Sequence, residues 1–260
     1  MDATMGALAV QFVGAGPGAA DLLTVRAARL LATADVVLYP GSYLDPQVLA
    51  HCSQAAELVD TADLDLDAIT DWLVTAHRAG RAVVRLVSGD PSLYSALFEQ
   101  TRRLDAAGVP WDVTPGVPAY AAAAAVLGRE LTVPLVTQSV VLTRVRASST
   151  KMPERESLAA FAATGATLVL HLAITRIRAL LAELAPDYGG DCPVAVVYRA
   201  SQPEELVLRG TITDIADAVE AAGLRSAAVI LVGRAVADLP DPCAGESHLY
   251  DPARDRSRPG

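Results

Sequence analysis

Cysteine is scarce in this chain. Cys52, Cys192 and Cys243 are odd in number, far apart and without C-x-x-C spacing, so neither a disulfide framework nor a cysteine zinc site is implied. Histidine is nearly as rare: His51, His77, His171 and His248 form no H-E-x-x-H or similar pair, and each reads as an ordinary core or surface histidine, with no metal expected. Positive charge is outweighed, 21 Lys and Arg against 30 Asp and Glu, for a formal net charge of −9. That balance argues against a broad basic face for nucleic acid or anionic lipid and leaves room for a local basic pocket. Long apolar runs are missing as well. The longest, residues 119–127, is too short and too alanine-rich to span a bilayer, and the first ten residues lack a basic region followed by an apolar core. A soluble, cytoplasmic protein is expected. Aromatic residues make up 5% of the chain although 52% is hydrophobic; alanine supplies much of the difference, which points to helices packed through small side chains.

What the chain does have is glycine and proline at telling places. Val10-Gln11-Phe12-Val13 has strand character and runs into Gly14-Ala15-Gly16-Pro17-Gly18, after which an apolar period of about 3.6 begins. Glycines let a main chain pass close to a ligand, and a turn of this kind after a parallel strand is a usual nucleotide site. Gly14, Gly16 and Ala19 satisfy the dinucleotide pattern G-x-G-x-x-G/A. Two features oppose a Rossmann oxidoreductase. Pro17 removes an N–H from the segment that would cradle a pyrophosphate, and the second strand, residues 36–39, ends at Pro40 without the ribose-binding acid expected about 20 residues on.

The rest of the first half alternates strands with helices. Helices are expected over residues 24–33, from Pro46, over 66–80 and from Ser92, and strands over 57–60, 82–87 and 111–114. This alternation predicts a mostly parallel sheet. After residues 128–137 the pattern changes. Strands are expected near 139–143, 167–171, 194–199, 206–208 and 227–232, and helices near 158–163, 174–184 and 212–221. Whether the strands flanking the 212–221 helix run antiparallel is left open. The tail from Pro240 is expected to be mobile.

Three turns rich in glycine or proline, residues 14–18, 88–91 and 115–118, therefore follow three expected parallel strands. In an open α/β sheet such carboxyl ends share the edge where ligands bind. Asp90, before the helix expected at Ser92, has two readings: an N-cap worth about 1 kcal/mol, or, with Gly89, an approach to the polar end of a cofactor.

At these positions the sequence resembles a family. Val13 to Gly18, Ser88-Gly89-Asp90-Pro91-Ser92-Leu93-Tyr94-Ser95 and Thr114-Pro115-Gly116-Val117-Pro118 resemble motifs of the tetrapyrrole methylases. So do Gln138-Ser139-Val140-Val141-Leu142-Thr143-Arg144, Cys192-Pro193-Val194-Ala195-Val196-Val197-Tyr198-Arg199-Ala200-Ser201 and Ala228-Val229-Ile230-Leu231-Val232-Gly233, in order, across residues 8–238. Leu38-Tyr39-Pro40-Gly41-Ser42, Val59-Asp60-Thr61-Ala62 and Lys151-Met152-Pro153-Glu154 are most similar to members that methylate a corrin precursor in cobalamin synthesis. Pro40 stands where that subgroup leads one to expect alanine, and His171 where an aromatic ring is common.

The resemblance implies two α/β domains, residues 8–118 with a mostly parallel sheet and 119–238 with a mixed one, a tail over 239–260, and S-adenosylmethionine bound between the domains. It implies cofactor contacts at Pro17, Ser88, Gly89, Asp90, Leu93, Pro118, Ala119, Leu172, Ala200 and Ala228. Most are small or apolar and suit recognition through main-chain groups. It implies a homodimer, and a small-molecule precorrin substrate bearing many carboxylates. Arg144, Arg146 and Lys151, in the one local basic run, are the residues expected to hold those carboxylates, since arginine grips a carboxylate bidentately; a solvated loop is the competing account. No general base is assigned, because methyl transfer from a sulfonium needs alignment more than a strong base. Methylation of a macromolecule by the same fold, and a non-catalytic binding module, are the other readings.

Overall fold

The first apolar run, Val10–Gly14 (β1), is wholly buried in the computed structural model, which describes residues 9–41, 44–145, 152–238 and 244–247. It is followed by α1 (Val25–Thr33), β2 (Val36–Tyr39), α2 (Pro46–Leu49), β3 (Glu57–Asp60), α3 (Leu66–Arg78), β4 (Val83–Val87), α4 (Leu97–Ala106) and β5 (Trp111–Thr114). The strands form one sheet in the order β3-β2-β4-β1-β5, and every pairing is parallel. Alternate residues serve two cores. Phe12, Leu38 and Val83 pack with Leu73 of α3 and Leu104 of α4 on one face, and Val13, Val37 and Leu86 pack with Leu31 of α1 and Val48 of α2 on the other. A strand buried on both faces needs apolar residues at nearly every position, which is why these segments read as continuous runs. Arg85 is the exception in β4.

The chain continues through α5 (Ala119–Leu127), β6 (Val140–Arg144), α6 (Leu158–Ala162), β7 (Thr167–His171), α7 (Ile177–Tyr188), β8 (Pro193–Tyr198), β9 (Leu206–Thr211), α8 (Ile215–Ala221) and β10 (Ala228–Val232). These strands form a second sheet, β6-β7-β10-β8-β9. Only β6 and β7 are parallel; β10 runs against β7 and β8, and β8 against β9. The pairings on either side of α8 are thus antiparallel. Leu168, Leu170, Val196 and Ile230 pack with Leu180, Leu184 and Ile215 on one face of this sheet.

Several boundaries differ from expectation for local reasons. Thr24 is a cap and not a helical residue: its hydroxyl accepts the Ala27 N–H at 3.1 Å, so α1 begins at Val25. Ile174–Arg176 forms a 3-10 turn before α7, which continues past Leu184 to Tyr188 with Pro186 in its last turn. Asp214 turns its carboxylate back to the Thr211 N–H (2.6 Å), which delays α8 to Ile215. The largest shift is at α4, which opens at Leu97, not at Ser92.

The described chain divides into two compact units. One comprises the chain up to Ala122 together with Arg199–Pro203; the other comprises Ala123–Tyr198 and the chain from Glu204 on. Among the described residues no helix is long and apolar enough to cross a membrane. Ser42, most of the tail, Arg146 and Lys151 lie outside the described residues.

Candidate active site

Strands β4, β1 and β5 are neighbours and run the same way, so the three turns that follow them meet at one sheet edge. The contact is main chain to main chain. Gly16 donates its N–H to the Gly89 carbonyl (3.1 Å) and Gly89 returns one to Gly16 (2.8 Å). A β-carbon on Gly14 would lie 2.5 Å from the Gly116 nitrogen, and one on Gly116 would lie 2.2 Å from the Gly89 carbonyl oxygen. Neither space can admit a side chain. Gly16 and Gly89 also hold φ at +76° and +66°, a region costly for other residues.

Asp90 locks two of these turns together. Its Oδ2 accepts the Gly116 N–H at 2.8 Å, its Oδ1 accepts the Ser92 N–H at 2.8 Å, and the Ser92 hydroxyl donates to the same oxygen. Burial by itself would raise the carboxyl pKa, but the bonds from the Ser92 hydroxyl, the Gly116 N–H and the Ser92 N–H outweigh it and hold the group below the usual carboxylate range. The N-cap reading is thereby corrected. No helix starts behind Asp90; the chain instead takes left-handed φ at Tyr94 (+52°) and Ala96 (+54°), which interrupts any helix before Leu97.

The remaining first-half residues gather around the same turns. Ser88 is exposed and Gly89 buried, and a β-carbon built on Gly89 would lie 3.8 Å from both the Ala119 nitrogen and the Pro118 α-carbon, at ordinary contact distance. Leu93 lies just beyond, its N–H bonded to the Asp90 carbonyl (3.2 Å). The lining is therefore main chain, proline, alanine and leucine, with the one carboxylate already occupied. Such a cradle suits a ligand recognised by shape and by amide groups.

Ser201 and Gln202, which have no role in the sequence reading, both bind the first turn. The Ser201 hydroxyl accepts the Ala19 N–H (3.1 Å), and the Gln202 amide donates to the Pro17 carbonyl (3.0 Å). Arg199 and Ser201 hold φ at +46° and +68°, with Ala200, 6% exposed, between them. The available signal was the serine and proline of Ser201-Gln202-Pro203, which favour a turn shortly after β8.

In the second unit, Leu172 follows β7 with φ +53° and is 72% exposed, so it is not a core residue. Ala228 is buried at the start of β10, opposite Tyr198. Arg144 ends β6 in register with His171, whose imidazole is held below its usual pKa by burial. Of the expected substrate residues only Arg144 is among the described ones.

Residues 9–216 match the family described as Tetrapyrrole (Corrin/Porphyrin) Methylases. The chain belongs to that family. This methylase is 54% identical over 250 residues to a precorrin-4 C(11)-methyltransferase of Rhodococcus erythropolis, an alignment covering 96% of this chain and 99% of the other. Among solved structures it resembles a cobalt precorrin-4 methyltransferase of cobalamin biosynthesis, with TM-score 0.86 and 37% identity over 89% of this chain and 97% of that one. It also resembles a uroporphyrin-III C-methyltransferase of Thermus thermophilus complexed with S-adenosylhomocysteine, with TM-score 0.73 and 31% identity over 88% and 93% of the two chains. The methylase is thus a methyltransferase with the two-sheet α/β fold expected of it.

Proposed function

We propose that this methylase transfers a methyl group from S-adenosylmethionine to C11 of precorrin-4, giving precorrin-5 in cobalamin synthesis. The observation that carries the reading is the cradle at the first sheet's edge, where Gly14 and Gly116 pack against each other and against the Gly89 carbonyl too closely for either to carry a β-carbon. Pro17, Ser88, Gly89, Asp90, Leu93, Pro118, Ala119 and Ala200 belong to that unit and are proposed to hold the cofactor. Leu172 and Ala228 belong to the other unit and join the proposal through the family resemblance.

The cofactor supplies an activated methyl on a sulfonium. The chain's own work is to bind, align and exclude water. Good orientation of two reactants is worth effective molarities of about 10⁵ M or more, roughly 7 kcal/mol of barrier. The Asp90–Gly116 and Gly16–Gly89 bonds fix the cradle before any ligand arrives, so its shape costs little at the moment of binding. Arg144, Arg146 and Lys151 are proposed to hold substrate carboxylates. A soluble, cytoplasmic homodimer is proposed for the assembly, and sedimentation would test it.

Incubation with labelled S-adenosylmethionine and precorrin-4, with NMR location of the new methyl, tests the reaction. Label at C11 is expected; label elsewhere or none refutes it. A second reading, cobalt-loaded substrate, is favoured by the likeness to the cobalt precorrin-4 methyltransferase; parallel incubations with the two substrates distinguish them.

A further inference from the structure

The α3/α4 face of the first sheet hides polar residues that the cradle does not use. Arg85, within β4, is 7% exposed, and Gln100, on α4, is 2% exposed. Arg85 Nε donates to Gln100 Oε1 (3.1 Å) and Nη1 to the Thr61 hydroxyl (3.0 Å), which itself donates to the Tyr39 carbonyl (3.0 Å). Burial lowers the guanidinium to about 10, so it remains charged near neutrality although both partners are neutral. A guanidinium can only donate, so it must face the oxygen of the Gln100 amide and not its nitrogen. The nitrogen is thereby turned the other way. It donates to the Ala96 carbonyl (3.1 Å) and the Ser95 carbonyl (3.4 Å).

Those carbonyls belong to the loop that follows Asp90. It contains Leu93 and the left-handed Tyr94 and Ala96, and it is pinned at its start by the Ser95 hydroxyl on the Pro91 carbonyl (2.5 Å). We infer that Arg85 and Gln100 are positioning residues: the buried cation sets the direction of the Gln100 amide, and that amide holds the 91–96 loop in the shape that presents Leu93 to the cofactor. The inference rests on the cofactor reading above.

A merely structural role would tie β4 to α4 and nothing more, and Gln100→Glu separates the two. The new carboxylate can pair with Arg85 and strengthen that tie, but it has no N–H for Ser95 and Ala96. The expected result is a melting temperature close to that of the unaltered protein, the new ion pair offsetting the two lost amide bonds, with S-adenosylhomocysteine bound about tenfold more weakly because the loop is no longer held. Amide exchange should quicken at residues 93–97 and stay unchanged in β4. Arg85→Met frees the amide to flip and should give the same local quickening, while Arg85→Lys, which still donates, should largely restore binding; this pair decides the matter if Gln100→Glu fails to fold. Affinity that is unchanged in Gln100→Glu, or that only follows melting temperature across the variants, overturns the inference and leaves the cofactor reading standing. Absence of S-adenosylhomocysteine binding by the unaltered protein overturns both.

Discussion

Asp90 and Gly116 are joined across the sheet edge, the carboxylate of one accepting the main-chain N–H of the other at 2.8 Å. The bond ties the turn after β4 to the turn after β5, with the β1 turn held between them by the Gly16–Gly89 pair. An acid in the proposed cofactor loop is thus committed to building the loop.

This bond makes acid stability depend on Asp90. Its folded pKa is depressed, so the group contributes stability that is full above the unfolded value of about 3.9 and is lost as pH falls through the lower folded value. Asp90→Asn should therefore be less stable than the unaltered protein near neutrality, and the gap should narrow below about pH 4. Urea midpoints across that range check it; a gap independent of pH would show that the ionised form is not what the fold favours.

Substitution of the packed glycines should be far more damaging than substitution of open ones. Gly14→Ala and Gly116→Ala push a β-carbon into backbone, where overpacking costs about 3 kcal/mol. Gly80→Ala and Gly108→Ala have no atom within 4 Å of the added carbon, so only their left-handed φ counts, about 1 kcal/mol. Denaturation midpoints of the four variants would give the ranking.

Gln202→Ala should remove one hydrogen bond to the Pro17 carbonyl, about 1 kcal/mol of stability, and weaken S-adenosylhomocysteine binding by loosening the first turn. Ser201→Ala should act in the same direction by freeing the Ala19 N–H. Calorimetry that finds full affinity in the double variant would detach this segment from the cofactor.

Leu172 offers a test in which stability and binding part company. Leu172→Gly relieves a left-handed φ, gaining about 1 kcal/mol, and loses a similar amount to glycine's unfolded-state freedom. The melting temperature should barely move. Cofactor affinity should fall if the exposed side chain helps hold the cofactor as proposed; unchanged affinity would remove Leu172 from the site.

Strands β1, β2 and β4 of the first sheet were legible because burial on both faces leaves a nearly continuous apolar run, and the turns were legible because glycine and proline mark them. The motifs spread over the chain likewise carry the family. Other features could not be read along the chain. Nothing local says that Asp90 reaches Gly116, 26 positions away, or that Gln202 reaches Pro17, 185 positions away. The helix expected at Ser92 failed partly for the same reason: the Asp90 carboxylate is shared with Gly116, and Tyr94 and Ala96 take left-handed φ before Leu97. Sequence determined what was periodic or conformationally obligatory; tertiary structure decided which distant polar groups met, because a hydrogen bond depends on separation in space and not on separation along the chain.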